Sequence, residues 1–118
     1  MPVIYPDPSR TTLPDGRVRH WLADREKGTS SASVHENVIP AGGIVPPHRH
    51  DVEELIVCLE GRGEWTMDGQ PFDYYAGCVA HIPAGAIHSM RNTGTGPLRQ
   101  LAFFPHPNPP SYWLKNEY

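Results

Sequence analysis

From residue 54 onward the chain alternates short apolar runs with breaks made of Gly, Pro or Asp-Gly. Glu54-Leu55-Ile56-Val57-Cys58-Leu59-Glu60 is rich in β-branched and apolar residues and is closed by Gly61, which predicts a strand. Glu64 to Met67 predicts another, and the Asp68-Gly69 that follows is the strongest two-residue hairpin signal in the chain. Phe72 to Tyr75 reads as the returning partner. Val79–Ile82, Ile87–Asn92 and Leu98–Phe104 come next, with turns at Pro83-Ala84-Gly85 and Gly94-Thr95-Gly96-Pro97. Upstream, Arg17–Ala23 and Ser31–Ile39 predict two more strands on either side of a charged turn, Asp24 to Gly28, and Pro40-Ala41-Gly42-Gly43 breaks the second. No window of about a dozen residues keeps a helical period. Short strands with turn signals every 8–12 residues or so predict an all-β sandwich or barrel.

The two ends read differently. Pro2, Pro6, Pro8, Pro14 and Asp15-Gly16 make residues 1–16 an extended N-terminal arm with little helix. After a β-domain over residues 17–104, the tail 105–118 opens with Pro105-His106-Pro107-Asn108-Pro109-Pro110, which cannot join a central strand and predicts a polyproline II segment. Tyr112, Trp113, Leu114 and Tyr118 then form an apolar cluster that needs cover, either from this barrel or from a second copy.

Composition narrows the class. At 118 residues, with fourteen prolines and eleven glycines, the chain suits one domain of short strands joined by tight turns. Ten basic against thirteen acidic residues give a net charge of −3 without Lys/Arg clusters, so nothing favours nucleic acid or an anionic membrane. No stretch reaches the roughly 20 apolar residues of a membrane span, and the first residues lack a secretory pattern. Cys58 and Cys78 lack Cys-x-x-Cys spacing and read as free thiols, which sets the expectation of a cytoplasmic protein.

Chemistry concentrates in the histidines. On an extended strand His48 and His50 project to one face, and Glu54 shares their parity. Inward imidazoles without another purpose are costly to desolvate, so a shared metal is the economical explanation. His88, after the Pro83 turn in a comparable strand, is placed to close the site. His20, His35 and His106 receive no functional reading, and Arg49 should point away from the metal.

Two spacings carry a family resemblance. Gly42, five residues, His48, one residue, His50, three residues, Glu54, six residues and Gly61 form the first; Gly77, five residues, Pro83, one residue, Gly85, two residues, His88, three residues and Asn92 form the second. Together, over residues 42–61 and 77–92, they resemble the two motifs of the cupin superfamily, specifically its small single-domain members, with every fixed position occupied. The resemblance implies a double-stranded β-helix, a conical jelly-roll-like barrel, holding one divalent transition metal through His48, His50, Glu54 and His88. Gly61, Pro83 and Gly85 would shape turns, and Asn92 would hold the second hairpin. Three imidazoles and a carboxylate suit Fe, Mn, Ni, Cu or Zn without selecting among them.

Around the ligands, parity predicts inward positions for Met90, Ile56 and Cys58. Further pocket candidates are His81 as an acid or base, Arg62, Tyr74, Tyr75, Gln100 and Phe103. The first functional reading is a mononuclear Fe(II)-type oxygenase or dioxygenase acting on a small oxygenated molecule. The alternatives are a redox-neutral isomerase, lyase or cyclase on a sugar, hydroxy acid or polyketide-like substrate, and a small-ligand-binding module without catalysis. A homodimer with a small-molecule substrate is expected.

Overall fold

The computed structural model describes residues 3–114; Tyr118 of the expected apolar cluster lies outside them. Eleven strands are formed among these residues: β1 (Thr11–Thr12), β2 (Val18–Ala23), β3 (Ser33–Ile39), β4 (Ile44–Arg49), β5 (Glu54–Glu60), β6 (Arg62–Met67), β7 (Gln70–Tyr75), β8 (Val79–Ile82), β9 (His88–Asn92), β10 (Leu98–Phe104) and β11 (Tyr112–Trp113). They build a six-stranded sheet in the order β1-β2-β3-β10-β5-β8 and a five-stranded sheet in the order β11-β4-β9-β6-β7. All pairings are antiparallel. No helix among the described residues is long and apolar enough to cross a membrane.

Alternation along the strands fills the space between the sheets. In β3, Ser33, His35, Asn37 and Ile39 are buried while the residues between them are half-exposed; in β10, Leu98, Gln100, Ala102 and Phe104 turn inward. Ile39, Leu98, Cys58, Met90, Trp65 and Tyr74 form much of the apolar core. The Asp68-Gly69 hairpin forms as expected, with φ of 46° and 84°. Both values are positive, as a type I′ turn requires. Asp68 also anchors the turn before β9, accepting from Ile87 N at 3.1 Å while its own N–H donates to Ile87 O at 2.8 Å. Gly61 is needed for a close approach: a Cβ there would meet Pro97 O at 2.6 Å.

Three features go beyond what the strand pattern predicts. The N-terminal arm is not wholly outside the barrel, because Thr11 and Thr12 pair with Arg19 and Val18 at the sheet edge. The tail also returns to a sheet, with Tyr112 opposite Arg49 and Trp113 opposite His48. Pro107 to Pro110 carry it across to an edge that still has free backbone groups, where a proline-rich lead is tolerated. Finally, β4 is a strand despite Pro46 and Pro47. Its register to β9 jumps between Val45 and His48, where two successive residues lack a backbone N–H. Cys58 and Cys78 are both free.

Candidate metal centre

His48 is the fifth residue of β4, and His50 follows the end of that strand; both are buried. His88 opens β9 directly opposite His48. The ligand-type nitrogens of these three histidines lie within 4.8 Å of one another. Glu54 approaches from the facing sheet, as the first residue of β5, with Oε1 3.4 Å from both His50 Nε2 and His88 Nε2. The chain crosses between sheets after β4, so Glu54 meets the histidines across the barrel rather than as a further residue on their strand.

The imidazoles are aimed by main-chain carbonyls. His48 Nδ1 lies 2.8 Å from Pro46 O, His88 Nδ1 2.9 Å from Ala86 O and His50 Nδ1 3.0 Å from Pro110 O. A carbonyl can only accept, so in the neutral rings each Nδ1 carries the proton and each Nε2 presents a lone pair. Backbone contacts of this kind orient metal-binding histidines generally. The tail supplies one of the three, and Trp113 stacks on His48 with ring centroids 4.4 Å apart and 29° between planes.

Donors bound to one ion at about 2.0–2.2 Å stand about 3–3.5 Å from each other. The Glu54 contacts fall in that range, while Glu54 Oε1 and His88 Nε2 are buried without any hydrogen-bond partner. Orphaned acceptor atoms converging on one point fit a divalent transition ion. Burial, reinforced by the neighbouring His88, holds His48 near a pKa of about 3 and hence neutral. For Glu54 burial works the other way, but the imidazoles of His50 and His88 outweigh it and lower the carboxyl to about 2. Burial likewise opposes protonation of His50, and the Glu54 carboxylate beside it outweighs that and raises its pKa.

The cavity containing these residues has a volume of about 100 Å³. At ~10–15 Å³ per water by the same kind of measure, it holds several waters or a small organic molecule. Ile56 and Gln100 line it as expected. Cys58, Met90 and Tyr74 are buried among core residues beyond the cavity, and the Tyr74 hydroxyl donates to Gln100 Oε1 at 3.0 Å.

Four expected pocket residues face outward. Phe103 lies between inward Ala102 and Phe104, Tyr75 follows inward Tyr74, and Arg62 precedes inward Gly63. His81, between Ala80 and Ile82, is exposed and bound to Glu53 Oε2 at 2.6 Å, outside the cavity and away from any acid–base role there. Each follows the period-2 rule, turning outward beside a neighbour that is inside.

Other cavity residues were missed. His35 lines it from β3, with Trp21 opposite it on β2 and ring centroids 4.6 Å apart. Arg17, Arg19 and Asn37 also line it. The signal was present: Ser33, His35, Asn37 and Ile39 share one parity, as do Arg17, Arg19 and Trp21. Neither ring nitrogen of His35 has a partner, and burial with nearby Arg19 lowers its pKa to about 4. The folded state therefore binds fewer protons here than the unfolded chain below pH ~6.5, and stability falls as pH falls through the window from ~6.5 to ~4. The His35 contribution is expected to reach about 3 kcal/mol. Urea unfolding of wild type and His35→Gln across that range checks it, since the variant should have the flatter profile; parallel profiles would contradict the assignment.

A two-sheet antiparallel barrel with three convergent imidazoles and a facing carboxylate is the architecture of a metal-binding β-barrel protein. Residues 35–104 match the cupin domain family, and the chain belongs to it. It is 36% identical over 70 residues to an uncharacterised protein of Methanocaldococcus jannaschii, covering 58% of this chain and 56% of that one. With quercetin 2,3-dioxygenase of Bacillus subtilis it shares 40% identity over 68 residues, covering 54% and 20%. The chain thus spans about half or less of the length of these relatives. Its fold is similar to that of the polyketide cyclase RemF from Streptomyces resistomycificus, with a TM-score of 0.74 at 23% identity over 96% of this chain and 78% of that one.

Proposed function

We propose that the protein is a metal-dependent enzyme acting on a small oxygenated organic molecule, with dioxygen-dependent chemistry of the Fe(II) type as the first reading. The observation that carries it is the convergence of three carbonyl-oriented imidazoles and an orphaned Glu54 oxygen beside a cavity of about 100 Å³. His48, His50, His88 and Glu54 would hold the ion, which when bound supplies Lewis acidity and, if it is iron, access to dioxygen. The chain's own residues do the rest. Pro46, Ala86 and Pro110 keep Nδ1 protonated and the imidazoles fixed. Trp65, Phe104 and Ile56 make part of the wall apolar and limit water. Gln100, held by Tyr74 at the cavity wall, would position a substrate oxygen.

The similarity to quercetin 2,3-dioxygenase supports the oxygenase reading. The similarity in fold to a polyketide cyclase supports a redox-neutral isomerase, lyase or cyclase as the second. Anaerobic Fe(II) reconstitution followed by oxygen-uptake assays on diketones, catechols and hydroxy acids separates them. Substrate-dependent uptake is expected, and conversion of these compounds without uptake would move the assignment to the redox-neutral class. Full turnover by protein free of metal would overturn both.

A further inference from the structure

The wall supplied by β2 and β3 carries more positive charge than the proposed metal site uses. Arg17 is 7% exposed, and Asp15, two residues away, takes its Nε at 2.9 Å. Its Nη1 is buried with no partner among the described residues. Arg19, half-buried on the same parity, has a buried Nε with no acceptor and makes no ion pair among the described residues. Across the ladder from Arg19, Asn37 Oδ1 is also unpartnered.

A buried guanidinium N–H without an acceptor is costly, and an anion entering the cavity would relieve that cost. Among the described residues Glu54 is the single acidic one lining the cavity, and it faces His50 and His88. Arg19 therefore faces this space with no anion to meet it among the described residues, and Arg17, paired with Asp15 only through Nε, turns a spare Nη1 toward the same space. They also stand close to the metal residues: the Arg17 guanidinium lies 6.0 Å from the centroid of the Trp113 ring, which itself stacks on His48. Arg19 lines the same cavity as His35, His48, His50 and His88.

We infer that the substrate carries a carboxylate remote from its metal-binding oxygens, and that Arg17 and Arg19 hold this carboxylate while the other end reaches the His48–His50–His88 cluster. The assignment rests on the proposed metal site for one end of the molecule and on the two guanidinium groups for the other. The planar guanidinium fork matches a carboxylate, and the surrounding Trp21 and Trp113 rings favour a flat or short carbon skeleton between the two ends.

The test uses Zn(II)-loaded protein, which does not turn over dioxygen, and two pairs of ligands that differ by one carboxylate: 3,4-dihydroxybenzoate against catechol, and 2-oxoglutarate against 2-oxobutyrate. Calorimetry on wild type is expected to favour the member with the extra carboxylate by about tenfold or more in at least one pair, the scale of one or two charge-assisted hydrogen bonds. In Arg17→Gln/Arg19→Gln that preference should fall to near unity, with bound zinc unchanged and the melting curve still cooperative. Single variants keep the test informative if the double variant fails to fold. If the wild-type chain takes up no zinc, the metal reading has failed by itself, and the arginine site is then tested on metal-free protein with benzoate against benzamide by tryptophan fluorescence. Equal binding within every pair, no binding of any probe, or a preference that survives the arginine substitutions would overturn the inference. Inorganic phosphate competing better than the carboxylates would overturn the choice of anion.

Discussion

Replacing His88 with alanine is expected to lower divalent-metal affinity by about 100- to 1,000-fold while the barrel remains folded. Tight four-ligand zinc sites are worth about 10–16 kcal/mol, so one ligand in four corresponds to about 2.5–4 kcal/mol. Removing His88 also leaves Glu54 Oε1 with only His50 Nε2 within 3.4 Å. The readout is the rise in melting temperature on adding Zn(II) or Ni(II), which depends on the ratio of metal concentration to Kd. Wild type should show a clear rise and the variant little at the same concentration. His88→Gln, which fills more of the space, separates a lost ligand from a disturbed core. A metal-induced rise that survives both substitutions would place the site elsewhere.

Asn92→Ala is expected to act on stability and leave the metal site alone. Asn92 is 3% exposed, and its amide nitrogen donates to Ile39 O and Gly96 O at 2.9 Å each, while its oxygen accepts from Gly94 N at 2.9 Å. One side chain thus ties the β9–β10 turn to the end of β3. Losing three hydrogen bonds of about 1–1.5 kcal/mol each, with buried partners left unpaired, predicts a destabilisation of about 3–4 kcal/mol. Asn92 lies four residues from His88, about 13 Å along β9, so the metal Kd should change by no more than about threefold. Chemical denaturation and metal titration on the same variant measure the two effects. A small stability loss would show that water replaces these contacts.

Much of this was legible because strands punctuated by Gly and Pro leave little room for misreading. Val79–Ile82 and Leu98–Phe104 form as the apolar runs predict, and Asp68-Gly69 makes the turn its φ requirements specify. The cluster of His48, His50 and His88 was legible from same-face spacing and from the cupin-like motifs. The placement of Glu54 was reached by an incomplete argument, since its parity with His50 is incidental to a chain that changes sheets between them. The outer pocket residues were misassigned where chemical appeal overrode alternation. Gln100 and Phe103 cannot both face inward from one strand without an intervening bulge, nor can both Tyr74 and Tyr75.

Long-range contacts were the least legible. Nothing local to Pro110 announces that its carbonyl would meet His50, sixty residues away, or that Trp113 would stack on His48. Such contacts depend on where the tail lands on an edge strand. His35, Arg17 and Arg19 lay closer to reach, because their alternation was visible once β2 and β3 were read as strands.

The central claim is that these four side chains hold one metal ion, and metal analysis of protein purified without chelator or a polyhistidine tag tests it most directly. The account predicts close to one divalent transition ion per chain, lost from His88→Ala. Only trace metal in wild type, with no change in melting temperature on adding Fe(II), Mn(II), Ni(II), Cu(II) or Zn(II), would contradict it.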